Sequence, residues 1–135
     1  AASDVYKRQD SGQQEILGDN ILDFFGAQLS LDNEGNTLVV MAPGYGSDKG
    51  QVKVYNYNGT KWEQSPISYD FDGEEDNNQS SGTLSESKGQ RVFLSGDGSV
   101  LAIGADLNDS SGGTDSGHVK VHRLFDVQEI PVVTL

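Results

Sequence analysis

Apolar and polar positions alternate along this chain in short stretches. Val52 and Val54 alternate with Lys53 and Tyr55, Val119 and Val121 alternate with Lys120 and His122, and Leu29 and Leu31 flank Ser30. A period of two puts successive side chains on opposite faces, the signature of half-buried strands. Between these stretches stand turn formers: Asp32-Asn33-Glu34-Gly35-Asn36, Asn58-Gly59-Thr60 and Gly96-Asp97-Gly98. Gly and Asn accept the positive φ that tight hairpins require. No stretch sustains a 3.6-residue period, so the pattern predicts an all-β chain.

The pattern also repeats. Gly26-Ala27-Gln28-Leu29-Ser30-Leu31 lies over Gly89-Gln90-Arg91-Val92-Phe93-Leu94 at an offset of 63, which also carries Glu34-Gly35 onto Asp97-Gly98 and Leu38-Val39-Val40-Met41-Ala42 onto Leu101-Ala102-Ile103-Gly104-Ala105. Further on, Gly50-Gln51-Val52-Lys53-Val54-Tyr55 lies over Gly117-His118-Val119-Lys120-Val121-His122 at an offset of 67, so the intervening loop is 4 residues longer in the second copy. Repeated sheets tolerate insertions confined to loops. The first copy reads as strands over residues 27–31, 37–42, 51–56 and 61–65. Four antiparallel strands in about 50 to 65 residues make one β-propeller blade, and two blades are too few for a ring of about four to eight. The chain is therefore read as a fragment. The apolar runs 38–42 and 100–105 suit inner strands, and Ala42, Gly104 and Ala105 are small enough for crowding near an axis.

Composition narrows the function. The 9 Lys and Arg against 21 Asp and Glu leave a net charge of −12. Phosphate contacts need a basic face, so nucleic acid is excluded as a partner, and docking on anionic lipid is disfavoured. No cysteine is present, which removes disulfides, zinc fingers and thiol nucleophiles. The apolar runs 38–42 and 100–105 are both far too short to cross a bilayer. Leu, Ile, Val and Phe supply 33 of 135 residues, enough to build a core and above the share of disordered chains.

Ordered along the chain, Phe25-Gly26, Leu29-Ser30-Leu31, the run from Glu34 to Pro43, Gly50-Gln51-Val52-Lys53-Val54-Tyr55 and Trp62 resemble the FG-GAP repeat, the blade unit of integrin-alpha-type β-propellers. The likeness is greatest to a secreted marine and protist subfamily with a short hairpin in each blade. The second copy keeps Gly89, Asp97-Gly98, Ala102-Ile103-Gly104-Ala105, Asn108-Asp109 and Ser116-Gly117-His118-Val119-Lys120-Val121, and departs at Lys88, where Phe is expected, and at Asp106, where Pro is. Residues 16–124 carry the resemblance. It implies a seven-bladed extracellular propeller, secreted or on a cell-surface ectodomain, used for adhesion or ligand binding. The expected organisation is the end of a preceding blade and a linker at 1–24, a first blade at 25–66, an acidic linker at 67–87, and a second blade with the following strand at 88–135. The partners expected are a protein or glycan ligand and further blades of the same chain, with no membrane insertion by this segment.

Integrin-type blades often hold Ca²⁺ in an Asp-rich hairpin, where alternating oxygens surround a hard cation. Here the hairpins read Asp32-Asn33-Glu34-Gly35 and Ser95-Gly96-Asp97-Gly98, too short to supply six oxygens, so they are read as tight turns. The denser acidic run Asp70, Asp72, Glu74 and Asp76 is the candidate for weak, millimolar-class Ca²⁺ binding, beside its plainer reading as a solvated linker; the loop with Asp106, Asn108, Asp109 and Asp115 has better-spaced oxygens and competes with it, beside its plainer reading as a mobile surface loop. No other cofactor is expected.

Loops on a rigid scaffold carry function. The equivalent connections 43–50 and 106–117 supply the candidate ligand-binding residues: Tyr45 and Asp48 in the first, Asn108, Asp109 and Asp115 in the second. Trp62 reads as a packing residue or a stacking platform for a sugar. Sequons at Asn58, Asn78 and Asn108 are possible glycosylation sites in loops. The two histidines, His118 and His122, share a strand face about 13 Å apart at 3.3 Å per residue, too far to meet on one ion, and are read as surface or edge-strand histidines. No nucleophile elbow or phosphate loop is present, so the chain is read as a non-enzyme. The expected function is extracellular binding through rim loops. The alternatives are a non-catalytic propeller scaffold of a secreted hydrolase and a structural surface-layer repeat.

Overall fold

The computed structural model describes residues 12–65, 71–73, 92–106, 112–113 and 116–124. These form two open antiparallel sheets. The first holds β1 (Gln28–Leu31), β2 (Thr37–Ala42), β3 (Gln51–Tyr57) and β4 (Trp62–Gln64) in sequential order, with β5 (Phe71–Asp72) also paired to β3. The second holds β6 (Val92–Leu94), β7 (Val100–Ala105) and β8 (His118–Arg123). The all-β expectation holds. β4 and β5 share one edge of β3: Tyr57 faces Trp62 near its end, and Val52 faces Phe71 near its start. Phe71 and Asp72, inside the stretch read as an acidic linker, thus complete the first sheet.

The repeat survives register by register. Leu29 opposes Val40 and Leu31 opposes Leu38 in the first sheet; Val92 opposes Ile103 and Leu94 opposes Leu101 in the second. Thr37 opposes Asn56 as Val100 opposes Arg123, and Ala42 opposes Gln51 as Ala105 opposes His118. The hairpins close alike: the Asp32 N–H donates to Thr37 O at 3.1 Å, and the Ser95 N–H donates to Val100 O at 2.9 Å. Both turns need a left-handed residue, met by Gly35 (φ 71°) and Gly98 (φ 75°). One bond changes acceptor chemistry but not place. The Thr37 N–H is accepted by the Asp32 carboxylate at 3.1 Å, and the Val100 N–H by the Ser95 hydroxyl at 3.0 Å.

The core lies between the two sheets. Val39, Met41, Val52 and Val54 of the first pack against Val92, Leu94, Leu101 and Ile103 of the second, with Phe71 and Leu124 at its margin. Burying each such side chain contributes about 1.5–3 kcal/mol relative to leaving it exposed, so neither sheet is independent of the other. Register shows which faces meet. The first sheet contributes the face bearing positions 39, 41, 52 and 54, whose counterparts in the second are 102, 104, 119 and 121. The second contributes the opposite face. The sheets therefore stack front to back, with two polar bonds fixing the stacking: Leu94 N–H to the Ser30 hydroxyl at 3.1 Å, and Asn33 N–H to Gly96 O at 2.8 Å.

Residues ahead of β1 cover part of the remaining face of the first sheet. Asp19 pairs with Lys53 at 2.6 Å, and the Phe25 ring meets Tyr55 edge-on at 6.3 Å. At the outer edge, the Gln14 side chain takes both backbone groups of Trp62: its Oε1 accepts from the Trp62 N–H at 2.7 Å, and its Nε2 donates to Trp62 O at 3.0 Å.

A candidate binding rim at the first sheet

The hairpin tips of the two sheets touch, so the longer connections, 43–50 and 106–117, leave from the opposite edge. In the first sheet that edge is built from two loops pressed together. The Gly44 N–H donates to Asp23 O at 3.0 Å, and a Cβ on Gly44 would collide with the Leu22 carbonyl. Asp23 is buried and its carboxylate accepts from Asn20 Nδ2 at 3.0 Å. Behind it, the Gly26 N–H donates to Met41 O and the Ala27 N–H to Phe24 O, tying the loop to the start of β1. The Gly50 N–H closes the turn Tyr45–Asp48 on Tyr45 O at 3.0 Å.

Backbone strain collects here. Leu22 (φ 66°), Phe24 (φ 55°) and Ser47 (φ 59°) are the described non-glycine residues with left-handed backbone, and all three lie in these two loops. Such conformations cost of order 1–3 kcal/mol each, persist only where neighbours over-determine them, and cluster at ligand sites. Ile21, Leu22 and Phe24 are exposed beside the half-buried Tyr45. The arrangement offers an apolar surface next to a phenol on a hydrogen-bonded frame.

Of the residues expected from sequence to bind ligand, Tyr45 lies on this rim and Asp48 ends its turn. Asn108, Asp109 and Asp115 lie outside the described residues. The ends of their loop pinch together, since a Cβ on Gly117 would come within 2.8 Å of Asp106 O. Leu22, Asp23 and Phe24 were not marked by the sequence pattern. The available signal is the apolar pair Ile21-Leu22, broken by Asp23 and ending at Gly26 without strand alternation.

The acidic candidates behave differently. Asp72 accepts from Gln51 Nε2 at 2.7 Å, which ties β5 to β3. Asp70, Glu74 and Asp76 lie outside the described residues. In the hairpins, Asp32 Oδ1 is occupied by the N–H groups of Asn36 and Thr37 at 2.8 and 3.1 Å. Asp97 accepts from the Ser99 hydroxyl at 2.6 Å, the Ser95 hydroxyl at 2.8 Å and the Ser99 N–H at 3.0 Å. The Ser99 and Ser95 hydroxyls, with the Ser99 N–H, hold its carboxyl down to about 2. Both carboxylates thus serve turn closure. Among the described residues no group of three or more His, Asp or Glu could hold a metal ion.

Asn58 is exposed, but its Oδ1 caps the turn by accepting from the Thr60 and Lys61 N–H groups at 2.8 and 2.9 Å. Asn78 and Asn108 lie outside the described residues. The Trp62 indole packs at 5.5 Å on its cross-strand neighbour Tyr57 within the first sheet. His122, read from sequence as a surface or edge-strand histidine, lies on β8 at the edge of the second sheet, with its ring turned toward the core. Its ring lies 4.2 Å from that of Phe71, and its Nε2 is buried without a hydrogen bond. Desolvation, then the Lys120 charge, push its pKa below the ordinary value of 6.5. Among the described residues no helix is long and apolar enough to cross a membrane. Comparison with family models, curated proteins and solved structures finds no match to this chain.

Proposed function

We propose that this chain is a pair of FG-GAP-like propeller blades acting as an extracellular binding module, with a protein or glycan ligand held by the loops of one rim. The observation that carries this reading is the front-to-back stacking of two sheets with the same register. Stacking of this kind uses opposite faces of one repeated unit and continues in further units, as propeller blades do. The ordered motifs of both copies supply the resemblance. Three left-handed non-glycine residues beside exposed Ile21, Leu22 and Phe24 favour the rim of the first sheet as the contact surface. Weak Ca²⁺ binding at the acidic run around Asp72 belongs to the proposal as a separate part, and calorimetric titration without heat at millimolar Ca²⁺ would remove that part alone.

The test is binding of the labelled chain to an immobilised panel of glycans and extracellular-matrix proteins. Loop exchange provides the control: residues 43–50 are replaced by a Gly/Ser linker, and separately Phe24→Ser is made. Binding that both changes abolish, with the thermal melt retained, supports the rim. Absence of binding across the panel, or binding indifferent to both changes, overturns it. Turnover of any glycan in the panel would overturn the reading of the chain as a binding module.

A further inference from the structure

Register equivalence makes one prediction about surfaces that the packed core has already tested once. Four residues of the sheet–sheet contact have exposed counterparts on outer faces, while Val40, the counterpart of Ile103, is covered from within the chain. Val92 and Leu94 are 0% and 3% exposed against the first sheet, whereas their counterparts Leu29 and Leu31 are 54% and 51% exposed. Val52 and Val54 are 0% and 3% exposed against the second sheet, whereas their counterparts Val119 and Val121 are 68% and 65% exposed. The molecule thus displays, on opposite sides, the two halves of a contact that it already makes internally.

We infer that a second copy of this chain docks through these faces, front to back, with Phe93, Val119 and Val121 of one copy against Leu29 and Leu31 of the next. The inference stands on packing geometry and needs no assumption about the ligand. The two donor faces differ in a compensating way. Ser30, Val39 and Met41 in the first sheet become Phe93, Ala102 and Gly104 in the second, so bulk lost on β7 is regained on β6. Apolar faces tolerate such redistribution when total volume is kept. Exposed contiguous apolar faces of this kind mark association surfaces. The contact is heterologous, because it joins different faces, so it can close a ring or extend into a filament. With a net charge of −12 per copy, repulsion opposes it at low ionic strength and salt relieves that repulsion.

Sedimentation velocity of the intact chain, from micromolar to near-millimolar concentration in low and high salt, reads the result. The expected outcome is mass growing above 14.5 kDa with concentration, and more so at high salt. Leu29→Glu and Val121→Glu should each weaken association by about tenfold or more, because each places a charge in an apolar contact. Each variant alone stays monomeric. Mixed in equal amounts they form a two-chain species that grows no further, since only the intact face of one can meet the intact face of the other. Leu31→Glu and Val119→Glu repeat the pair, and an unchanged circular dichroism melt shows that all four fold. A monomer at every concentration overturns the inference, and so does association that the substitutions leave untouched. A mixture that fails to reunite overturns the front-to-back arrangement, because a symmetric contact would not be complemented.

Discussion

The hydroxyl of Ser30 accepts a hydrogen bond from the backbone N–H of Leu94 at 3.1 Å, across 64 positions of sequence and inside the contact between the two sheets. The bond joins neighbouring repeats through a side chain that the second copy replaces with Phe93. Ser30→Ala leaves a buried N–H without its acceptor. The expected loss is about 1–3 kcal/mol in urea unfolding, the cost of an unsatisfied buried donor. Unfolding unchanged within error would show that the sheets do not depend on this bond.

The hairpin glycines give a paired prediction. Gly35 and Gly98 both carry positive φ, so alanine is strained at either. A Cβ at Gly35 meets nothing within 4 Å, but at Gly98 it comes within 3.1 Å of Thr37 Oγ1 and 3.2 Å of Asp32 Oδ2. Gly35→Ala should cost about 1 kcal/mol. Gly98→Ala should cost more, because it also pushes the two hairpin tips apart. Equal melting temperatures for the two variants would contradict the contact between tips.

Leu101 and Leu31 belong to equivalent cross-strand pairs, Leu94–Leu101 and Leu31–Leu38, yet of the two only Leu101 is buried. Leu101→Ala should destabilise by about 2–5 kcal/mol through the lost burial and the cavity left behind. Leu31→Ala, measured on dilute monomer, should stay within about 0.5 kcal/mol, as exposed substitutions do. Similar losses at both sites would mean that the Leu31 face is covered in the monomer.

His122 predicts a pH dependence. Its folded pKa lies below the ordinary 6.5, because the fold favours the neutral ring against Phe71. On acidification the unfolded chain takes up this proton first, so the unfolded state is favoured. Stability is therefore full above about pH 6.5 and declines below it, until the folded ring protonates as well. The melting temperature of wild type should fall relative to His122→Phe as pH drops from neutrality toward mild acid. Parallel curves would show that the ring titrates alike in both states.

Much of this architecture was legible in the residues. Alternation at Val52 and Val54 located β3, the turn at Gly35 located the first hairpin, and the two offsets carried both into the second sheet. β5 was not legible, because two residues cannot display a period and Phe71 stands among carboxylates that read as solvated linker. Nor could alternation reveal which faces meet, since Leu29 and Val92 are equivalent in pattern and differ only in what lies against them. The half-burial of His122 was not legible for the same reason: strand periodicity assigns a face, and only Phe71, 51 positions earlier, decides that this face is covered. The rim escaped because Leu22 and Phe24 hold left-handed backbone that neither residue prefers.

The Gln14 side chain at the outer edge has a consequence for misassembly. A carboxamide offers one acceptor and one donor, the same pair as a peptide unit, and here both engage the backbone of Trp62. An open edge strand is a template on which foreign chains add strands and amyloid can nucleate. Gln14 blocks that template at β4 with a single residue in place of a whole strand. Edgewise recruitment is thereby discouraged at the point where the sheet would otherwise lengthen, while Leu29 and Leu31 stay exposed on its outer face.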